Sequence, residues 1–373
     1  MVAQRVRLKI DCAELRFEYF ARCFYDQKFR TNIAFMNKIF HRLVIVAANC
    51  LLGACIGWAD HHKPMSADQI KDLRSLAKTL TGTIPEKMPG AENDSPARIA
   101  LGKTLYFDTL FSENRKISCN SCHQVDKNGA GVDGKPASPG AFGEFGDRNS
   151  PTVLNAGFHI AQFWDGRAAT LEDQAKGPVL NPVEMAMPSV EVVLERINQS
   201  AKYKKMFTEA FPDASDSVSY DNMAKAIASF ERTLITEDRY DDFLDGDDKA
   251  LSNAELKGLK SFIETGCITC HNGPLLGGNT YQKVGLVNPY KNNQDLGRYK
   301  LTNKEEDKFM FKVPSLRNVA LTGPYLHDGS IFTLAEVIRQ MAWLQLGRQV
   351  SDLEANDIQA FLKTLSDKER GRN

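Results

Sequence analysis

The chain has 373 residues, of which 42% are hydrophobic and 25% are charged, a composition typical of globular proteins. Its 47 basic residues balance its 47 acidic residues, so there is no overall positive field of the kind that attracts nucleic acid, and we expect no nucleic-acid partner. The length leaves room for two or three domains.

Residues 1–59 are predicted to be an N-terminal extension and signal peptide. From Met36, the favoured start, a short basic segment precedes an apolar run over residues 43–56, which is the pattern of a secretory signal. Residues 57–59 fit a signal-peptidase site, and the apolar run is too short for a membrane span. The pattern predicts export to the periplasm, with lipoprotein anchoring at Cys55 as the weaker alternative.

Helical patterns follow in four segments of the chain. They predict helices over 66–80 and 95–107, and again over 190–211 and 220–235. Between them, residues 124–151 are rich in glycine and proline and show little periodicity. A loop of this length inside a compact domain is usually functional.

The same five-residue pattern occurs at 119–123 and at 267–271, with two cysteines three positions apart and a histidine directly after them. It is the attachment signature of c-type haem, because on one helical turn both thiols reach the porphyrin vinyl groups and the histidine lies under the iron. A zinc half-site or a redox pair is the alternative for a single match, but no spare cysteine pair completes a zinc tetrad. The sequence therefore predicts two covalently bound haem c groups, held by Cys119, Cys122, Cys267 and Cys270, with His123 and His271 as iron ligands.

An internal repeat relates the two halves of the chain. Residues 227–234 resemble residues 358–365, and each segment is an amphipathic helix well after its haem motif. A short helix with a glycine, Gly102 or Gly258, precedes each motif. The acidic stretch 237–248 between the copies is predicted to be a solvated linker.

The fold is predicted to be all-α, with two cytochrome-c-like haem domains. Residues 60–240 would form the first haem domain and residues 241–366 the second, followed by a polar tail over 367–373. Ser252 and Ser351 each have a glutamate three positions later, which predicts capping boxes at the start of two helices in the second domain.

Three motifs make the family resemblance specific: Gln-Phe-Trp-Asp-Gly-Arg-Ala at 162–168, and the stretches 171–178 and 181–185. Together they resemble the bacterial dihaem cytochrome c peroxidase family, and the similarity runs from about residue 65 to residue 366. In that family the N-terminal haem reacts with peroxide and the C-terminal haem, of high potential, receives electrons. The resemblance implies a periplasmic homodimer that reduces hydrogen peroxide to water with electrons from a small c-type cytochrome or a cupredoxin.

Four residues take functional roles from this resemblance. Trp164 matches the tryptophan between the two haems, and Met341 matches the axial ligand of the second iron, where a thioether raises the potential. Glu184 and Gln174 match the acid/base and its companion on the open face of the first haem. The chemistry agrees, since splitting an O–O bond requires a proton to be moved, and an amide can orient peroxide.

The resemblance also implies one calcium ion between the domains. Asn149, Thr322 and Pro324 match the family's ligands, the last two through backbone oxygens, and oxygen ligands suit calcium. His327 follows this site and is expected to support it rather than to bind the ion.

One departure from the family lies in the loop 124–151. Many members carry there a histidine that caps the peroxide-reactive haem, but the alignment puts Ala141 at that position. The loop contains no histidine or methionine, and Lys127, Lys135 and the downstream His159 remain as poor substitutes. The first haem is therefore expected to have no sixth protein ligand.

Two other functions stay open from the sequence. A MauG-like dihaem protein-modifying enzyme would also lack the capping histidine, but these relatives carry tyrosine where this chain has Met341. A dihaem electron carrier without peroxidase activity would not require Glu184 or Gln174.

Overall fold

The computed structural model describes residues 63–126 and 129–370. The predicted signal peptide, the proposed start at Met36 and Lys127 lie outside the described residues, and the tail is described only as far as residue 370. Within the described ranges, no helix is both long enough and apolar enough to cross a bilayer.

The described residues are mostly helical, and the fold is all-α and cytochrome-c-like, as predicted. One antiparallel pair of three-residue strands interrupts the helices. The elements are α1 (Ala67–Leu80), α2 (Pro96–Phe107), α3 (Cys119–Cys122), α4 (Leu171–Leu180), α5 (Val190–Asn198), α6 (Ala201–Ala210), α7 (Tyr220–Glu231), α8 (Arg239–Leu244), α9 (Asn253–Thr265), β1 (Tyr281–Lys283), α10 (Tyr299–Thr302), β2 (Met310–Lys312), α11 (Leu334–Leu346) and α12 (Asp352–Thr364).

Side-chain caps fix the starts of the predicted helices. Ser66 forms a capping box with Gln69 at α1, and Ser95 accepts a hydrogen bond from the Arg98 amide at α2. The capping boxes predicted at Ser252 and Ser351 are both present. Each cap satisfies amide groups that a helix leaves without partners at its N-terminus, so these boundaries are encoded locally.

The segment 190–211 forms two helices, α5 and α6, rather than the continuous helix that its pattern predicts. Ser200 separates them, because its hydroxyl accepts a hydrogen bond from the Tyr203 amide at 3.3 Å and starts a new helix. The segment 220–235 is helical only as far as Glu231. Helix propensity alone does not reveal such internal breaks.

Two large apolar cores lie in the described part of the chain, besides a small cluster of Ala156, Leu171 and Ala228. The first is built mainly by α2, α4, α5, α6 and α7, and the second mainly by α8, α9, α11 and α12. Leu73 and Ala77 of α1 belong to the second core, although α1 precedes the first haem motif. The domain limits given above stay a prediction.

The structure confirms the internal repeat. Helix α2 packs closely on α7, and α9 packs closely on α12. A Cβ on Gly102 would come within 1.8 Å of the Ala226 carbonyl oxygen, and one on Gly258 within 1.9 Å of the Asp357 carbonyl oxygen. Each copy therefore needs a glycine where its two helices cross.

The predicted solvated linker at 237–248 is wrong. It contains α8, whose Tyr240 and Phe243 are fully buried in the second core. Asp238 is also fully buried and pairs with the guanidinium of Arg317 at 2.5 Å. Because Asp238 and Asp241 neutralise a buried arginine, an acidic stretch that looks solvated is part of the interior.

Candidate haem and peroxide site

A cavity of about 510 Å³ lies against the first cysteine–histidine motif. Helix α3 is a single turn, held by a capping box between Ser118 and Ser121. This turn brings both motif cysteines to the cavity wall. The wall includes these predicted site residues: Cys119, Cys122, His123, Trp164, Gln174 and Glu184.

The orientation of the His123 ring leaves one nitrogen for a metal. Its Nδ1 lies 2.9 Å from the Pro151 carbonyl oxygen and must donate, because a carbonyl only accepts. The unprotonated Nε2 is then free to bind a metal ion. Burial lowers the pKa of His123, which keeps the ring neutral.

Two of the motif thiols are kept protonated by burial. It raises the pKa of the Cys119 thiol to about 12 and that of Cys267 to about 11. Thiol redox chemistry proceeds through the thiolate, so these two thiols are not activated for it. All four motif cysteines are free, and the described ranges contain no cluster of three or more His, Cys, Asp or Glu side chains able to hold a metal. Paired free thiols beside an open imidazole nitrogen fit covalent haem in both cavities.

Glu184 is a half-buried carboxyl group on the same cavity. It lies beyond the end of α4, where the Nδ2 of Asn181 donates a hydrogen bond to its Oε1 at 2.8 Å. Burial raises the pKa of Glu184, while the Asn181 hydrogen bond and the charge of Arg167 lower it. A carboxyl group held in this way can take up and release a proton.

Two charged residues of this cavity were missed by the sequence reasoning. Arg167 stacks on the Phe163 ring and pairs with Asp165. Glu231, at the end of α7, is 5% exposed, and burial raises its pKa to about 8. Arg167 belongs to the motif that carries the family resemblance, and Glu231 belongs to the repeated helix. Both segments are recognisable in the sequence, but nothing in either one marks these two residues as part of the cavity.

A second cavity, of about 240 Å³, lies against the other motif. His271 repeats the arrangement of His123, with Nδ1 donating to the Leu276 carbonyl oxygen at 3.0 Å. Burial lowers the pKa of this ring too. Cys267, Cys270 and Met341 of α11 line the same cavity. The structure thus brings the predicted attachment residues and the predicted axial methionine to one cavity.

Trp164 lines both cavities. Its indole Nε1 donates to the Asn149 carbonyl oxygen at 2.8 Å, and its own carbonyl oxygen accepts from the Lys312 amide at 2.7 Å. The ring also meets His327 edge to face, with centroids 6.4 Å apart. The predicted bridging residue therefore lies between the two candidate haem sites and is fixed at both ends.

The three predicted calcium ligands lie together on the second cavity, since Asn149, Thr322 and Pro324 all line it. The Asn149 side-chain nitrogen donates to the Lys135 carbonyl oxygen at 2.8 Å. This orientation leaves Oδ1 for other partners. His327 packs face to face on Phe311, and its buried Nε2 has no hydrogen-bond partner within the described residues.

Ala141 occupies a closed turn beside Glu184. Its amide donates to the Glu184 carbonyl oxygen at 2.7 Å, and a Cβ on Gly140 would come within 2.2 Å of the Val183 carbonyl oxygen. Of the possible substitutes for a capping histidine, Lys135 is exposed, and His159 lines the second cavity. Among the described residues, His123 is the one histidine that lines the first cavity.

Comparisons with known proteins agree with this site. The profile of the di-haem cytochrome c peroxidase family matches residues 96–249. A cytochrome c551 peroxidase of Pseudomonas aeruginosa is 42% identical over 81% of this chain and 88% of its own length. One of Nitrosomonas europaea is 44% identical over 76% of this chain and 83% of its own length. The crystal structure of a MauG-like protein associated with microbial copper homeostasis superposes with a TM-score of 0.69 at 29% identity, covering 78% of this chain and 95% of that one.

Proposed function

This chain belongs to the di-haem cytochrome c peroxidase family, and we propose that it reduces hydrogen peroxide to water at the first cavity with electrons received at the second. It is a peroxidase with two haem groups. The observation that carries the proposal is the half-buried Glu184 on the cavity that Cys119, Cys122 and His123 also line.

We propose covalent attachment of one haem at each motif, with His123 and His271 as iron ligands and Met341 as the second axial ligand of the second iron. Haem supplies the redox chemistry when it is bound. The support is the pair of free thiols and the oriented imidazole on each wall. Trp164, which lines both cavities, is the proposed contact between the two sites.

Glu184 is the proposed proton carrier. Asn181 holds Oε1, while Oε2 makes no hydrogen bond with the described residues and is available to take a proton from peroxide and return it to the leaving oxygen. Gln174, on α4, is proposed to orient peroxide through its amide. Arg167 limits the rise in the pKa of Glu184, so that the carboxylate form stays accessible.

The donor is proposed to be a small c-type cytochrome or a cupredoxin, and the site of action the periplasm. The test for the latter is N-terminal sequencing of the mature protein from fractionated cells, which should begin close to Asp60. A mature chain that retained residues 36–59 in the cytoplasm would contradict export.

Calcium is proposed to bind at Asn149, Thr322 and Pro324, because all three line the second cavity and offer oxygen ligands. Dialysis of the loaded protein against a chelator, followed by metal analysis, should release about one calcium ion per chain. Asn149→Leu should abolish that ion.

A homodimer is proposed on the basis of apolar surface. Phe142, Phe145 and Phe332 are 65%, 61% and 70% exposed, and an interface that covered these large apolar side chains would remove them from water. Light scattering of the haem-loaded protein should give twice the chain mass, and Phe145→Ser together with Phe332→Ser should shift it towards the monomer.

A MauG-like protein-modifying activity is the second candidate. Ala141 favours it, because the first haem then has no capping histidine, whereas Met341 in place of tyrosine disfavours it. The two functions differ in the final electron source, which is a small redox protein in one case and a protein side chain in the other.

The deciding experiment is a steady-state assay of peroxide consumption with reduced cytochrome c as the sole electron donor. We expect multiple turnovers with two equivalents of cytochrome oxidised per peroxide. No oxidation of cytochrome c or of a cupredoxin would contradict the proposal.

A further inference from the structure

Helices α7 and α12 are equivalent elements of the internal repeat, and the structure fixes their register. A Cβ on Gly102 would meet the Ala226 carbonyl oxygen where α2 crosses α7, and one on Gly258 would meet the Asp357 carbonyl oxygen where α9 crosses α12. Ala226 and Asp357 are therefore equivalent positions. The residues that follow them can be compared one by one between the two halves of the molecule.

Two residues of each helix, one turn apart, line the cavity of their own half. The first is an isoleucine in both halves, with Ile227 on the first cavity and Ile358 on the second. The second is Glu231 on the first cavity and Leu362 on the second. These two residues are equally buried, at 5% and 4% exposed. The first haem site thus has a buried carboxyl group at the position where the second has a leucine side chain.

The carboxyl group of Glu231 makes no hydrogen bond or ion pair with the described residues. The adjacent Arg232 does not neutralise it, because its guanidinium is already bonded to Asp94 at 2.7 Å and to Glu172 at 2.8 Å. Burial raises the pKa of Glu231 to about 8, although the charge of Arg232 lowers it, and the charge of Glu172 raises it further. The group therefore holds a proton near neutral pH and can lose it under mild conditions.

The titratable groups on the neighbouring helices have other partners. Tyr106 of α2 donates its hydroxyl hydrogen bond to the His123 carbonyl oxygen at 2.6 Å. Cys119 of α3 becomes a thioether when haem is attached, so it no longer ionises. The charged residues of α5 are exposed or bonded to main-chain carbonyl oxygens, and they are Glu191, Glu195 and Arg196.

The wall of the first cavity also includes charged residues that lie outside these helices. They are Asp147, Arg148, Asp165, Arg167, Glu184 and Lys300. Asp165 is paired with Arg148 at 2.7 Å, and Asp147 is exposed. Glu184 is therefore the carboxyl group of this wall whose titration most resembles that of Glu231.

We infer that Glu231 is a redox-linked proton site of the first haem. It takes up one proton from solvent when the iron gains one electron from the donor, and it releases that proton when the iron is oxidised. An added electron makes the site more negative, and in a buried site of low dielectric this favours the neutral form of an unpartnered carboxyl group. Reduction of hydrogen peroxide to two water molecules consumes two electrons and two protons. An electron that arrives with a proton leaves the charge of the buried site unchanged.

Haem content and peroxide turnover are measured first, because the inference rests on the proposed function. Fewer than two haems per chain, or no turnover with a small redox protein as donor, would contradict that function itself, whereas the pH dependence bears on the inference alone. The midpoint potential of the first haem is then followed from about pH 6 to about pH 9. Glu231→Gln and Glu231→Leu, which copies the second half, are compared with the exposed Glu195→Gln and with Glu184→Gln.

The equilibrium constant for reduction of the first haem should fall as pH rises, because the reduced protein binds the proton more tightly. Over this range it should fall about tenfold more in the wild type than in Glu231→Gln or Glu231→Leu, which is about 59 mV for one electron. Reduction of the wild type should also produce a carboxyl C=O band in the infrared difference spectrum, and Glu231→Gln should lack this band. Glu195→Gln and Glu184→Gln should keep the wild-type pH dependence within about threefold.

The same pH dependence in the wild type and in Glu231→Gln would overturn the inference. So would loss of the pH dependence in Glu184→Gln, because the proton would then belong to Glu184. The second haem is the internal reference, since Lys312, His159 and His327 line its cavity and can give it a pH dependence of its own. That dependence should be the same in the wild type and in Glu231→Gln, and an equal change at both haems would mean a general disturbance and would overturn the assignment.

Glu231→Asp decides the matter if neither Glu231→Gln nor Glu231→Leu retains both haems. It keeps a carboxyl group on a shorter side chain, so the pH dependence should remain while the carboxyl band moves. A band at the wild-type position would overturn the assignment, as would a wild-type first haem whose potential does not depend on pH over this range.

Discussion

Glu184 is the residue on which peroxide chemistry is expected to depend most. Glu184→Gln keeps the size of the side chain and a partner for Asn181 but cannot carry the proton. We expect both haems and the fold to remain, while turnover falls by about a hundredfold or more. Steady-state kinetics measure this, with the exposed Glu195→Gln as the matched control. Near-normal turnover in Glu184→Gln would remove it from the mechanism.

Glu231 should make stability depend on pH. Burial raises its pKa from 4.5 to about 8, so the folded protein keeps a proton that the unfolded chain has already lost. The free energy of unfolding should therefore fall as pH rises between these values, by at most about 1.4 kcal/mol per pH unit. Glu231→Gln should remove this slope, so that its stability relative to wild type increases with pH.

Denaturant unfolding of the haem-loaded proteins at several pH values between 5 and 8 measures the difference. Glu195→Gln, which changes an exposed carboxylate, should give a curve parallel to wild type. A Glu231→Gln curve that is also parallel would show that Glu231 is ionised in the folded protein.

Met341 should set the potential of the second haem. Met341→His replaces a thioether by an imidazole, which donates more strongly to ferric iron, so the potential should fall and reduction by the donor should slow. Redox titration measures the first effect and stopped-flow mixing with reduced cytochrome the second. If neither Met341→His nor Met341→Leu changes the potential, Met341 is a packing residue and the ligand lies elsewhere.

Among the structural elements, the loop 136–145 is the one we propose to control the first haem. Ala141 offers no ligand and its turn is hydrogen-bonded to Glu184. A ferric haem with one axial ligand is expected to be high-spin and to react with peroxide without prior reduction. Electron paramagnetic resonance and the first turnover of the fully oxidised protein measure these two properties.

Ala141→His restores the residue that many relatives carry. We expect it to produce a low-spin first haem and a lag in turnover that ascorbate abolishes. The matched control is Ala137→His in the same loop, which should leave the high-spin signal. Two low-spin haems and a lag in the unmodified protein would contradict the account of this loop.

Elements with local signals could be predicted from sequence, whereas elements fixed by distant partners could not. The starts of α1, α2, α9 and α12 follow from serine caps within three residues of each start. Helix α8 was missed because its acidic residues pair with Arg317, about 76 positions away, and no local pattern shows that.

At the scale of the whole molecule, the sequence indicates which residues form each site but not how charges are distributed between the sites. The haem motifs, Glu184, Trp164 and Met341 were identified from motif and resemblance, and the structure brings them to two cavities that share the Trp164 wall. Lys312 and His159 were not assigned to the second cavity, because they are 153 positions apart and neither belongs to a motif of its own.

The internal repeat accounts for the similar layout of the two halves of the molecule. Two copies of one helical unit each place a cysteine–histidine turn beside a core, and the crossing glycines Gly102 and Gly258 hold each pair of helices close. One copy carries the half-buried Glu184, and the other carries Met341. The proposed division into a peroxide-reducing half and an electron-receiving half rests on these two differences.

The central claim is that each half binds one haem covalently. The intact mass of the mature, periplasmically expressed protein, measured under denaturing conditions, tests it most directly, because only covalent haem survives. We predict a mass that exceeds the polypeptide by two haems, falling to one haem in a variant with Cys119→Ser and Cys122→Ser and likewise in one with Cys267→Ser and Cys270→Ser. A wild-type mass with one haem or none would contradict the account.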